Sequence, residues 1–328
     1  MSTTFPDRLT HMGGVPVGME VLQPQDTRWV YSSTSSQIYK DLRKNADPTK
    51  LHSTLNLGEA AITSAQNEIV YLTPEQHSIA TAITWDGSYT HLIGMTKPSY
   101  FYSGVYPEIK ASANMSPMIT VSGNGCYFAN FTLNYGRGYS TNPVGLKVTG
   151  GGNTFEGIHF DGPQNATEAA SQYSIMVWNQ GDGTVFKNCS FGCHWQSMTQ
   201  GYLMQFGHGA SAPTTVFEEC IFLMNAGATT PYFMRIQPDT STGILVFKGC
   251  QFINIGSSSL TYAIDGVGLG DTKMFFDANC SFAGVTDIVT ANMETKVYCS
   301  TANLAGTASV ATNGVKLANL IATNPDVS

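Results

Sequence analysis

The chain has 328 residues, of which only 12% are charged and 33 are glycine, and its formal net charge is -7. Few charges and many turn formers favour turn-rich β structure over helices. No Lys/Arg cluster supplies the footprint that nucleic acid or an anionic membrane needs, and no window approaches the roughly 20 apolar residues of a membrane span, so neither partner is expected.

Residues 1–54 read as an N-terminal arm of Pro, Gly, Ser and Thr around one short helix, predicted over Ser35 to Ala46. Its first residues show no basic leader followed by an apolar run, so the chain is expected to be made in the cytoplasm. The best helical stretch is Leu55 to Gln66, LNLGEAAITSAQ, and it is expected to cap the open end of a stack. Asn67 to Lys97 carries short strand signals at Ile69 to Leu72, Ile83 to Trp85 and Leu92 to Ile93. Ile119 to Gly136 reads as a further coil with Phe128 and Phe131 in apolar columns.

A repeat then dominates. TVFKNCSF (Thr184 to Phe191) returns as TVFEECIF from Thr215 and as LVFKGCQF from Leu245. One column holds Phe155, Phe186, Phe217 and Phe247. Another holds Ile158, Cys189, Cys220, Cys250 and Cys280, spaced 31, 31, 30 and 30, and a third holds Phe160, Phe191, Phe222, Phe252 and Phe282. A period of about 30 residues marks stacked units that bury their faces on their neighbours. The segments opening at Tyr173, Tyr202, Tyr232 and Tyr262 are too short and too rich in aromatic and β-branched residues for helices. The fold class is therefore all-β: a single-stranded right-handed parallel β-helix over residues 55–300, with an N-terminal capping helix and extended terminal arms, the second from 301 to 328. Phe should stack on Phe from coil to coil. The cysteines should form a ladder of reduced, packed thiols.

Strict alternation gives an outside column. With Tyr202, Met204 and Phe206 pointing in, Lys147, Met176, Gln205, Arg235 and Asp265 point out, and Arg235 with Asp265 should form an exposed ion pair between adjacent coils.

Signals for chemistry are sparse. Gly207-His208-Gly209 and Arg235-Ile236-Gln237 resemble two motifs of β-helical polygalacturonate-cleaving enzymes, but that chemistry uses paired carboxylates and no Asp-Asp pair occurs. Ile264 to Asp271, IDGVGLGD, lacks the oxygen ligands of a calcium loop. Cys189, Cys193 and His194 lack a fourth zinc ligand, and Cys189 belongs to the interior column. No catalytic, cofactor-binding or metal-binding residue is assigned, no cofactor is expected, and the chain is read as not an enzyme.

The leader FPDRLTHMGGVPVG, the capping helix and the segment Asn67 to Ser78, with Pro74 and His77 retained and Glu75 in place of a glycine, resemble tailed-phage virion proteins of the right-handed β-helix type. The resemblance implies a structural virion protein that decorates or stabilises a phage capsid and is assembled in the host cytoplasm. It further implies a homo-oligomer, with a trimer as one form, bound through the N-terminal arm to the major capsid protein or other virion proteins. The alternative is a tail spike, a receptor-binding β-helix that binds or cleaves host surface polysaccharide.

Overall fold

The computed structural model describes residues 11–12, 15–16, 27–98, 106–135, 143–163, 165–172, 174–192, 196–209, 213–238, 243–266, 272–290, 297–299 and 305–306. Each coil contributes one strand to each of three parallel sheets. Sheet 1 has eight strands, sheet 2 eleven and sheet 3 nine, and the order follows the coils except at the N-terminal end of sheet 2, where Thr27–Val30 lies between Leu51–His52 and Ile69–Leu72. Strand Thr184–Lys187 of sheet 2 pairs in register with Thr154–Glu156 on one side and Thr215–Glu218 on the other. The result is a parallel β-helix, and equivalent residues of successive coils lie directly above one another.

That superposition builds the core. In sheet 2 the rings of Phe128, Phe155, Phe186, Phe217, Phe247 and Phe276 form one continuous stack, with centroids 5.0, 4.9, 5.3, 4.9 and 4.6 Å apart. In sheet 3, Phe160, Phe191, Phe222, Phe252 and Phe282 form a second at 5.0, 4.7, 4.6 and 4.5 Å. The stacks meet edge to face, as at Phe217 and Phe222, 5.6 Å apart. Stacked and edge contacts each add roughly 0.5–1.5 kcal/mol beyond burial. Between the stacks run the thiols of Cys189, Cys220, Cys250 and Cys280, all free and buried. Each sulfur lies 3.3 to 3.6 Å from the carbonyl of the phenylalanine 33 or 34 residues earlier, Phe155, Phe186, Phe217 and Phe247 in turn. The column thus satisfies backbone acceptors inside the prism as well as filling it. Burial pushes the Cys220 thiol well above its ordinary pKa.

Sheets 2 and 3 are joined by a two-residue turn whose first residue is left-handed. Asn130, Gly157, Asn188, Glu219 and Gly249 occupy it in successive coils, with φ between 51° and 62°. Asn and Gly suit that region and Glu does not. Glu219 is held there by the stack, its amide donating to the Lys248 carbonyl at 2.8 Å.

At the N-terminal end, helix α1 spans Gln37–Asn45 and helix α2 spans Leu55–Ala60. The second is shorter than the Leu55 to Gln66 expected, and Ala65 and Asn67 beyond it have φ of 63° and 54°. Leu55 enters the core cluster, and a Cβ on Gly58 would sit 2.6 Å from a Val30 methyl, so α2 closes the end of the prism. Strands Thr27–Val30 and Leu51–His52 also belong to sheet 2, N-terminal to residue 55. Val30 is fully buried. Removing residues 1–54 is therefore expected to lower the thermal melting temperature by several degrees relative to removing 1–26, through loss of both end strands. Equal melting of the two truncations would contradict this role. The expected C-terminal arm lies almost wholly outside the described residues.

Candidate functional site on the outer wall of sheet 1

Long segments join sheet 3 to sheet 1, such as residues 162–174 and 192–201, whereas residues 210–214 join sheet 1 to sheet 2 and the turn from sheet 2 to sheet 3 in the same coil is two residues. Sheet 1 therefore has long segments along one edge, the arrangement in which a rigid scaffold carries function.

Its strands do not alternate strictly. In Tyr202–Gly209 both Leu203 and Met204 enter the core, as do Met176 with Val177, Phe233 with Met234, and Ala263 with Ile264. Two successive inward side chains turn the preceding residue outward. Tyr202 accordingly joins Val144, Ile175, Trp178 and Tyr232 in a separate outer cluster. This corrects the sequence reading twice: Tyr202 points out, and Met176 points in, fully buried. The position beside Lys147 belongs to Trp178.

The observed outward column is Thr84, Thr120, Lys147, Trp178, Gln205, Arg235 and Asp265, one residue per coil. A second column three residues earlier on each strand runs through Val144, Ile175, Tyr202 and Tyr232, with Tyr262 registered on Asp287 beyond it. Contacts link the two. The Lys147 Nζ lies 4.7 Å from the Trp178 ring, and the Trp178 indole donates to the Gly207 carbonyl at 3.1 Å. Gln205 donates to the Gln237 side-chain oxygen at 2.8 Å. Arg235 places its guanidinium 4.9 Å from the Tyr202 ring.

The expected Arg235–Asp265 pair is present, at 3.8 Å between Nε and Oδ2, but its side chains are only 17% and 16% exposed. It is a covered pair, because the guanidinium lies on an aromatic ring and not in solvent. The distance is too long for a hydrogen bond, so Arg235 Nε remains buried without a partner, as does Asp287 Oδ1. Burial raises the Asp265 pKa, and Arg235 opposes the rise. Arg235, with its Nε unmet, and Asp265, its carboxyl shifted toward the neutral form, thus lie side by side on this wall. Tyr202 and Tyr232 stack on one another along the axis with centroids 5.9 Å apart, so they present ring edges beside the Trp178 indole and the polar column.

Of the other sequence candidates, Gln237 joins this wall, and the His208 side chain lies outside the described residues. So do Cys193, His194 and Asp271. Among the described residues no three His, Cys, Asp or Glu side chains converge as metal ligands. Trp178 carries no local motif, and Tyr232 is visible in the sequence only as the start of a repeated strand; the register places both here.

The sequence matches no protein-family model and no curated protein. Solved structures do match. A pectin methylesterase from Aspergillus niger aligns with a TM-score of 0.54 at 15% identity over 89% of each chain. Pectate lyase Pel9A aligns with a TM-score of 0.53 at 13% identity, covering 89% of this chain and 79% of that one. ORF18 of Geobacillus virus E2 gives 0.38 at 14% identity over 70% of this chain and 54% of that one, a likeness that carries no argument. The chain is thus a parallel β-helix protein. The expectation that it is not an enzyme is overturned: both of these matches with TM-scores above 0.5 are named as enzymes, so the fold gives no ground for excluding catalysis. At these identities the likeness shows the fold and assigns no reaction. The absence of an Asp-Asp pair, on which the sequence reading rests, excludes only acids adjacent in sequence, whereas a solenoid brings residues of different coils to one wall, as with Arg235 and Asp265.

Proposed function

We propose that the outer wall of sheet 1 binds an extended polysaccharide running along the solenoid axis and acts on it at the Arg235–Asp265 pair. The observation that carries this is the unbroken outward column from Lys147 through Trp178, Gln205 and Arg235 to Asp265, backed by Tyr202 and Tyr232. Coils repeat every ~4.8 Å, close to the length of one pyranose unit, so each coil offers one contact position per sugar. Asp265, with its raised pKa, is the group suited to donate or accept a proton at the bound chain, and Arg235 is suited to hold developing negative charge beside it. The enzymatic folds of the similar structures support the reading. The resemblance of the leader and of Asn67 to Ser78 to virion proteins supports a setting on a phage particle, where such a wall would meet host surface polysaccharide.

The test is binding and turnover on capsule, lipopolysaccharide and pectin, read by affinity electrophoresis and by the release of reducing ends or small products. Trp178→Ala and Arg235→Ala should each weaken binding by about tenfold or more, the equivalent of one lost aromatic or charge-assisted contact. Asp265→Asn should abolish turnover while binding survives. Retention unaffected by all three substitutions would place the ligand elsewhere and overturn the assignment, as would failure to bind any of these polymers.

A further inference from the structure

The outer wall of sheet 2 carries a different pattern, and we infer that it is a docking surface for a second copy of this chain, packed with its solenoid axis antiparallel about a two-fold. One outward column reads Thr154, Val185, Val216, Val246, Phe275 and Tyr298 in successive coils. It is apolar over five coils and grows more exposed toward its end: Phe275 and Tyr298 are 38% and 37% exposed, and their rings stack at 4.9 Å. Ile244, on the same wall, is 39% exposed. The corresponding outer positions of sheet 3, His159, Ser190, Ile221, Gln251 and Ser281, are mostly polar. An apolar stripe of this length on one wall marks an interaction surface.

The neighbouring column identifies the occupant. Glu156, Lys187, Glu218 and Lys248 follow one another in register, and Asp277 succeeds Phe276, the partner of Phe247. The signs alternate over five coils, and Lys248 meets Glu218 at 2.9 Å. Within one chain this relieves repulsion between stacked charges. It also makes the ladder complementary to its own reverse. With a two-fold between the coils of Glu218 and Lys248, Lys187 faces Asp277 of the second copy and Glu218 faces Lys248 of the second copy, and each relation holds in both directions, as an isologous interface requires. The same operation lays Val216 on Val246 and Val185 on Phe275, and brings Tyr298 over Thr154. In the coils of Glu156, Lys187, Glu218 and Lys248 the edge toward sheet 3 turns in two residues, so that edge carries no long loop. Sheet 1 stays free on the outside of both copies.

Analytical ultracentrifugation of the full chain tests this. A dimer is expected. Val216→Glu and Phe275→Glu should each raise the dimer dissociation constant by at least about a hundredfold by burying an unpaired charge, with unchanged circular dichroism and melting of the monomer. Lys187→Glu, at an exposed site whose folding risk is small, should also weaken the dimer by setting like charges opposite each other; Asp277 is left intact because its Oδ1 accepts the Gly249 and Asn279 amides. A monomer at all concentrations, a trimer, or a dimer indifferent to Phe275→Glu and Lys187→Glu would overturn the inference.

Discussion

Phe217→Ala is expected to destabilise the protein by about 3–5 kcal/mol, the range for truncating a buried aromatic. The ring is fully buried and held from four sides. It stacks on Phe186 at 5.3 Å and Phe247 at 4.9 Å, and it meets Phe222 and Phe206 edge on at 5.6 and 5.7 Å. The cost should fall at the high end because the cavity cannot collapse. The rings above and below are fixed at the spacing of the backbone ladder, which cannot shorten without breaking hydrogen bonds in three sheets. Since each coil touches only its neighbours, a weakened central coil should also uncouple the two halves of the stack. Denaturant unfolding followed by fluorescence and by circular dichroism would then give two separated transitions where the parent gives one. Ile255→Ala, at a side chain 52% exposed after a sheet 3 strand, serves as the comparison and should cost less than about 1 kcal/mol. A Phe217 variant as mild as the Ile255 variant would show that the inner stack contributes area and no specific geometry.

The inner columns were legible because a parallel in-register stack repeats its interior at the coil period. Phe186, Phe217 and Phe247 share a register in space because they share one in sequence. Phe131 and Ile158 take the cysteine position without the thiol and were still readable, since any apolar side chain of moderate size fits there. The outer wall of sheet 1 was not legible. Its strands place two residues running toward the core, as at Leu203 and Met204, and a period of two applied across that bend inverts every position before it. Lys147, Gln205, Arg235 and Asp265 lie beyond the bend and were assigned correctly. Tyr202 and Met176 lie before or within it and were inverted. The functional pattern also has no local signature, because Trp178, Arg235 and Asp265 come from three coils. Only the correct coil-to-coil register joins them.

Glu68→Ala is expected to cost a further 3–5 kcal/mol or so, by a different route. Arg28 takes a position in sheet 2 registered on Val70 and Leu92, which makes it a cation at the head of an otherwise apolar inner file. Glu68 meets it at 3.2 Å, with side-chain exposures of 11% and 8%, and also accepts a hydrogen bond from the Thr63 amide at 2.8 Å. Removing the carboxylate leaves a guanidinium buried beside apolar side chains and a backbone donor without its acceptor, two penalties that add. Removing both charges should behave otherwise. Arg28→Met with Glu68→Leu deletes the desolvation cost along with the attraction, so the double variant should recover most of the stability lost in Glu68→Ala, less the roughly 1–3 kcal/mol of the unmet Thr63 amide. Urea denaturation of the three proteins measures the difference directly. Should the double variant prove less stable than Glu68→Ala, the pair would be a net stabiliser of the capped end, and the view of Arg28 as a costly charge tolerated only with its partner would be wrong.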